Sequence, residues 1–176
     1  HCLSSAASDV YKRQCVDGED KVNAYSTWLG LMKGDLKSEF EKNGKKVVRC
    51  LNSDLSFISP SGDDFSIRAR ALLWIRNVGH LMTTPAVLDS NGDEIFEGLL
   101  DAMVTTMLGM HDLKKADGNS RHGSIYIVKP KMHGPAEVDF ADKIFSKVES
   151  SLGIEQYSVK LLSLIHISEP TRPYLI

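Results

Sequence analysis

Three stretches place cationic side chains where they could grip an anion. In "ALLWIRNVGH" (residues 71–80) a compact apolar run ends in Arg76. A guanidinium at the carboxyl end of a buried strand can hold a carboxylate through two hydrogen bonds or offset the charge of an oxyanion. A solvated arginine at a strand end fits the same spacing. In "SIYIVKPKMHGP" (residues 124–135) a β-branched and aromatic run is followed by Lys129, Lys131 and His133, spaced by two, while Pro130, Gly134 and Pro135 break regular structure. Strand alternation would turn those three side chains to one face; a frayed strand end would simply release them to solvent. The third is Arg49 in "KVVRCL", suited either to a phosphate or to the surface of a hairpin.

The other titratable residues point to less. His80, His111 and His122 lie far apart without metal-ligand spacing and read as structural or surface residues. Asp89, Asp93, Glu94, Asp101 and Asp112 read as turn or helix-surface groups. "DSNGDE" has the composition of a calcium loop but not its ligand spacing. The phosphate loop, GxGxxG, GxSxG and HExxH motifs do not occur. Cys2, Cys15 and Cys50 form neither a CxxC pair nor a metal set, the usage expected of reduced thiols in a cytosolic protein.

These side chains need elements to position them. Residues 19–36 place Val22, Tyr25, Trp28, Leu29 and Met32 at helical spacing. A turn-rich region follows, in which Asn43-Gly44 and Ser61-Gly62-Asp63 punctuate the short runs "KVVRCL", "LSFIS" and "FSIRA", as in hairpins. Residues 71–75 read as a strand. A helix then starts near Glu97, with Leu99, Leu100, Met103, Val104, Met107 and Leu108 as its expected core face and Lys114 and Lys115 favoured by its carboxyl-end dipole. After the strand at "IYIV", a helix from "AEVDF" onward should bury Val138, Phe140, Ala141, Ile144, Phe145, Val148 and Leu152 and stop at Gly153, before a further extended segment at "YSVK". The order strand, helix, strand, helix, strand predicts an α/β fold with parallel strands and crossover helices.

With 176 residues, 42% hydrophobic and 25% charged, the chain has room for about one domain and one core. A formal net charge of −2 argues against a general nucleic-acid or membrane-surface binder. No run of about 18 apolar residues is present to span a bilayer.

The ends stand apart. "DVYKRQ" (residues 9–14) and "LSLIHI" (residues 162–167) can be back-translated to nearly reverse-complementary DNA, and they resemble translated transposon-end sequencing adapters. Residues 1–14 and 162–176 are therefore set aside from fold reasoning. This leaves residues 15–161 as the natural stretch, with both ends expected to be cuts.

"RNVGHLMT" (residues 76–83) and "NSRHGSIYIVKPKMHGPAEV" (residues 119–138) strongly resemble the malate synthase family, in its long isoform. "DGEDKVNAYSTWLGLMKGDL", "EKNGKKVVRCLN" and "DEIFEGLLDAMVTTMLGMHDL" extend the likeness over residues 15–161. The resemblance implies a partial TIM (β/α)8 barrel: barrel segments at residues 15–33 and 72–161, with a short passage of an inserted α/β module at residues 34–71. It implies condensation of acetyl-CoA with glyoxylate and water to malate and CoA, a reaction of the glyoxylate bypass, in a cytoplasmic, monomeric parent. On this likeness Arg76 is catalytic and contacts glyoxylate, Arg49 falls on the acetyl-CoA nucleotide, and the Mg2+ ligands and the catalytic carboxylate lie beyond this chain. The polypeptide alone is expected to be inactive. A CoA-binding fragment without turnover, or an acyl-CoA lyase barrel of the citrate-lyase type, is the alternative.

Overall fold

The computed structural model describes residues 8–11, 15 and 17–163, with backbone only for residues 8–11. Ten strands and three helices follow one another among them. At the centre is a sheet of four parallel strands in the order β1-β6-β9-β10: β1 Ser8–Tyr11, β6 Leu72–Arg76, β9 Ile125–Val128 and β10 Val159–Leu162. Ile75 is in register with Ile127, Arg76 with Val128, and Val128 with Leu162, so three strands finish level. The parallel arrangement expected from alternating strands and helices is present.

Helix α1 (Gly18–Lys33) begins where the Asp17 carboxylate accepts the Asp20 N–H, and it ends at Gly34, whose left-handed φ of 75° suits a residue without a Cβ. It buries Trp28 and Met32. Helix α2 (Glu97–Leu113) connects β6 to β9, and helix α3 (Pro135–Leu152) connects β9 to β10, stopping at a left-handed Gly153 as its sequence predicts. The core is formed by Trp28, Met32, Ile75, Ala102, Ile125, Ile127, Phe145, Val148 and Val159.

The remaining strands form three antiparallel pairs: β2 Lys37–Lys42 with β3 Lys45–Cys50, β4 Leu55–Ile58 with β5 Asp64–Ile67, and β7 Thr83–Leu88 with β8 Glu94–Phe96. Asn43 and Gly44 turn the first pair with φ of 55° and 71°, the positive values a two-residue hairpin requires. The β7–β8 pair is an element beyond those the sequence pattern predicts. It surrounds "DSNGDE", where the Asp89 carboxylate accepts the N–H groups of Asn91 and Asp93; the segment is a hairpin turn.

Four expectations change. Helix α2 turns its small residues to the core: Gly98, Ala102, Thr105, Thr106 and Gly109 are buried, whereas Leu99, Met103 and Met107 are 42%, 37% and 45% exposed. Close approach decides this, because a Cβ on Gly109 would lie 2.8 Å from the Ile125 side chain. On α3, Val138 and Phe140 are exposed, while Ala141, Phe145 and Val148 are buried. Lys115 serves another helix's dipole, its ammonium donating to the last carbonyls of α1, Met32 (3.0 Å) and Lys33. Lastly, β1 falls inside residues 1–14 and pairs with β6. Ladder pairing needs only backbone groups, and the open edge of β6 supplies partners for them.

Candidate functional site

Where β6 ends, the chain passes through Arg76, Asn77, Val78, Gly79 and His80, beside the first turns of α2 and one face of α1. Arg76 opens onto a cavity of about 140 Å³, together with Lys21, Tyr25, Glu97, Asp101 and Cys15. Carboxyl ends of parallel strands are where α/β folds place ligands.

Asp101 organises this cavity. Sequence reading put it on a helix surface, yet it is only 1% exposed. One of its carboxylate oxygens accepts the Tyr25 hydroxyl at 2.7 Å and pairs with the Lys21 ammonium at 2.6 Å; the other accepts the Val78 N–H at 2.8 Å. Glu97 pairs with the same ammonium. Burial opposes the charge on Lys21, but Asp101 and Glu97 together outweigh it and hold its pKa above the usual lysine value. Tyr25 is pushed well above the ordinary phenol range, first by burial and then by the Asp101 charge. The Asp101 carboxylate thus ties α1, through Lys21 and Tyr25, to the loop that follows β6.

Asn77 is equally enclosed. Its N–H donates to the Val128 carbonyl at 3.0 Å, extending the β6–β9 ladder by one residue, and its side-chain oxygen accepts the Thr105 hydroxyl at 3.2 Å. Trp28, fully buried, donates its indole N–H to the Thr105 carbonyl at 3.1 Å.

The trio Lys129, Lys131 and His133 does not share a face. Strand β9 ends at Val128, Lys131 has a left-handed φ of 56°, and alternation no longer applies. Lys131 and His133 are exposed, with the His133 N–H donating to Glu137. Lys129 is buried, and its ammonium reaches the Val78 carbonyl at 2.7 Å. Burial lowers its pKa, an effect the Asp101 charge opposes. His80 packs against Phe140 with ring centres 5.2 Å apart. Its pKa is lowered by burial and by Lys129, against the opposing influence of Glu137.

Arg49 is not brought to this cavity. It is exposed on β3, with its guanidinium 4.8 Å from the Phe40 ring centre. Asp112, also read as a surface group, is buried and accepts the backbone N–H groups of Asn119 and Ser120. A wider cleft of about 570 Å³ lies by the amino ends of β6 and β9, where Arg68 and Arg70 donate to the carbonyls of Gly118 and Asp117. His111 and His122 are exposed, as expected of surface histidines.

Residues 72–170 match the family model of the malate synthase TIM barrel domain, more than half of the chain. The chain belongs to the malate synthase family. It is 50% identical over 148 residues to malate synthase G of Halalkalibacterium halodurans, covering 83% of this chain and 20% of that protein. Over the same length it is 46% identical to malate synthase G of Corynebacterium glutamicum and 44% identical to that of Corynebacterium efficiens, with the same shares covered. The chain thus spans about a fifth of the length of these curated relatives. Arg76, Asp101 and Lys129 all lie within the span matched to the malate synthase barrel, whereas Arg49 precedes it. Among the described residues no three His, Cys, Asp or Glu side chains cluster as a metal site, and Asp101 and Glu97 are committed to Lys21. Occupied by an ammonium, these two carboxylates do not fit a cation site. No helix among the described residues is long and apolar enough to cross a membrane.

Proposed function

We propose that this chain is the part of a malate synthase that supplies the arginine-bearing strand end of the active site. The parent enzyme condenses acetyl-CoA with glyoxylate and water to give malate and CoA. The observation that carries this reading is Arg76, level with the carboxyl end of a parallel strand, opening onto a cavity and lying inside the span similar to the malate synthase barrel. On this reading β6, β9 and β10 are successive barrel strands of the segment at residues 72–161, with β10 running one residue past it, α1 belongs to the barrel segment at residues 15–33, and the hairpins of residues 34–71 are a passage of an inserted module.

The chemistry assigned to this chain is electrostatic. Removal of a proton from the acetyl methyl group leaves an enolate, whose carbon forms the new bond to the glyoxylate aldehyde carbon; water then cleaves the thioester and releases CoA. The Arg76 guanidinium is suited to bind the glyoxylate carboxylate and to offset the enolate charge as it develops. The proton-removing carboxylate and the Mg2+ ligands are assigned to the rest of the parent, which we take to be cytoplasmic and monomeric. Arg49, exposed on its hairpin, is assigned to the acetyl-CoA nucleotide.

The test has two arms. Thiol release from acetyl-CoA, with glyoxylate and magnesium present, should not exceed the no-enzyme control for the 176-residue chain alone. A hybrid in which residues 17–161 replace the matching stretch of the H. halodurans relative should form malate. In that hybrid Arg76→Ala should lower kcat by about a hundredfold or more, the usual cost of removing one oxyanion-stabilising donor. A folded hybrid without malate formation, or one indifferent to Arg76→Ala, overturns the reading. CoA-dependent thermal stabilisation of the chain without turnover in the hybrid would favour a binding segment instead.

A further inference from the structure

Lys129 is a residue that the proposed chemistry does not use and that a packed core would not choose. It is 1% exposed, and the hydrogen bond found for its ammonium goes to a neutral acceptor, the Val78 carbonyl at 2.7 Å. Taking an ammonium out of water costs several kcal/mol, and a single carbonyl offsets only part of that. A methionine would fill the same volume at less cost. The position of the ammonium is nevertheless closely defined. A Cβ added to Gly98 would lie 2.8 Å from the Lys129 Nζ and 3.1 Å from the Gly79 carbonyl oxygen, so the first turn of α2 leaves room for the ammonium only because residue 98 is glycine.

The same peptide segment is held elsewhere too. The Val78 N–H goes to the Asp101 carboxylate at 2.8 Å, and the preceding residue is fastened by the Asn77 N–H to the Val128 carbonyl at 3.0 Å. Both backbone polar groups of Val78 are therefore bonded to buried charged side chains of opposite sign, each matched to the group it meets. Arg76 stands two residues before this point and lines the cavity. A guanidinium can bind bidentately only when its backbone is fixed, and displacements of about 1 Å cost large factors in rate.

We infer that Lys129 is a positioning residue: together with Asp101 it clamps the peptide at Val78 and so sets the direction in which Arg76 enters the cavity. This rests on the role proposed above for Arg76, although the clamp itself can be observed without any activity.

Two measurements separate the parts. In the 176-residue chain, Lys129→Met should make the Asn77 and Val78 amides, which donate to Val128 and Asp101, exchange with solvent roughly tenfold faster or more, the equivalent of a lost charge-assisted hydrogen bond. Amides of β9 and α3 should keep their protection. In the hybrid enzyme, the same substitution should raise KM for glyoxylate about tenfold and lower kcat, while KM for acetyl-CoA stays unchanged. A general loss of packing would move both KM values together. Where Lys129→Met fails to fold, Gly98→Ala displaces the ammonium while favouring the helix, and it should reproduce both effects. Unchanged exchange at Asn77 and Val78, or an unchanged glyoxylate KM in an active hybrid, overturns the inference. A hybrid that is inactive with Lys129 intact counts against the proposed function alone, and the exchange measurement still decides the clamp.

Discussion

The Lys129 ammonium donates to the Val78 carbonyl across fifty-one residues of sequence, at 2.7 Å. This bond joins the end of one parallel strand to the loop that leaves its neighbour. It also places a positive charge close to His80, whose ring rests on Phe140 from α3.

That charge should be visible in the titration of His80. Burial and the Lys129 charge lower its pKa, and Glu137 opposes them. In Lys129→Met the value should therefore rise, which ring-proton NMR can follow. The linkage has a definite sign. With a depressed folded pKa, the unfolded chain binds more protons below about pH 6.5, so the stability held above that pH is lost as pH falls toward the folded value. Removing Lys129 should make this acid limb shallower. An unchanged His80 titration would show that the two groups do not interact.

Tyr25 should dominate the alkaline side. Its phenol is raised first by burial and then by the Asp101 charge, so the folded chain keeps this proton after an unfolded chain has lost it. The folded state then binds more protons above about pH 10, and stability falls as pH rises past that value. Phenolate absorbance of the native chain should show a late step that coincides with unfolding. In Tyr25→Phe that step should disappear and the alkaline limb should flatten. Ionisation of all phenols near the ordinary value, with the fold intact, would count against this environment.

Asp112→Ala should destabilise the chain by about 2 kcal/mol or more, because two buried backbone N–H groups lose their acceptor. The loop concerned carries Asn119, whose side chain bonds both the N–H (2.7 Å) and the carbonyl (2.9 Å) of Leu73 and so holds the start of β6. Asp112→Asn keeps an acceptor oxygen and should cost less. Urea midpoints measure both, and a shift within about 0.5 kcal/mol for the alanine variant would place the loop under other control.

Sequence reading located the helices well because their signals are local. Glycine at 153 ends α3, and the apolar run of residues 71–75 contains most of β6. It misjudged which faces are buried. On α2 the apolar stripe was assigned to the core, but Gly98, Ala102 and Gly109 take that side, since only small residues let the helix come so near β9. Periodicity reports that a helix has two faces; it does not report how closely a neighbour approaches.

The burial of charged residues is hidden in sequence for a related reason. Asp101 and Asp112 look like surface groups in sequence, and Lys129 like one of three cations at a strand end, because nothing nearby in the chain offers them partners. Their bonds run to Val78, to Asn119 and Ser120, and again to Val78, at separations of 23, 7, 8 and 51 residues. An ionised side chain enters a core only when such partners are waiting there.

The sequence by itself determined the order of strands and helices, the parallel character of the sheet, the strand-end position of Arg76 and the likeness to malate synthase. Each depends on residue types and spacings within one stretch of chain. Only the tertiary structure decided that Lys129 turns inward while Lys131 and His133 turn out, that Asp101 secures the loop after Arg76, and that Arg49 stays away from the cavity. Those outcomes depend on which backbone groups from distant elements need a partner once water has been excluded.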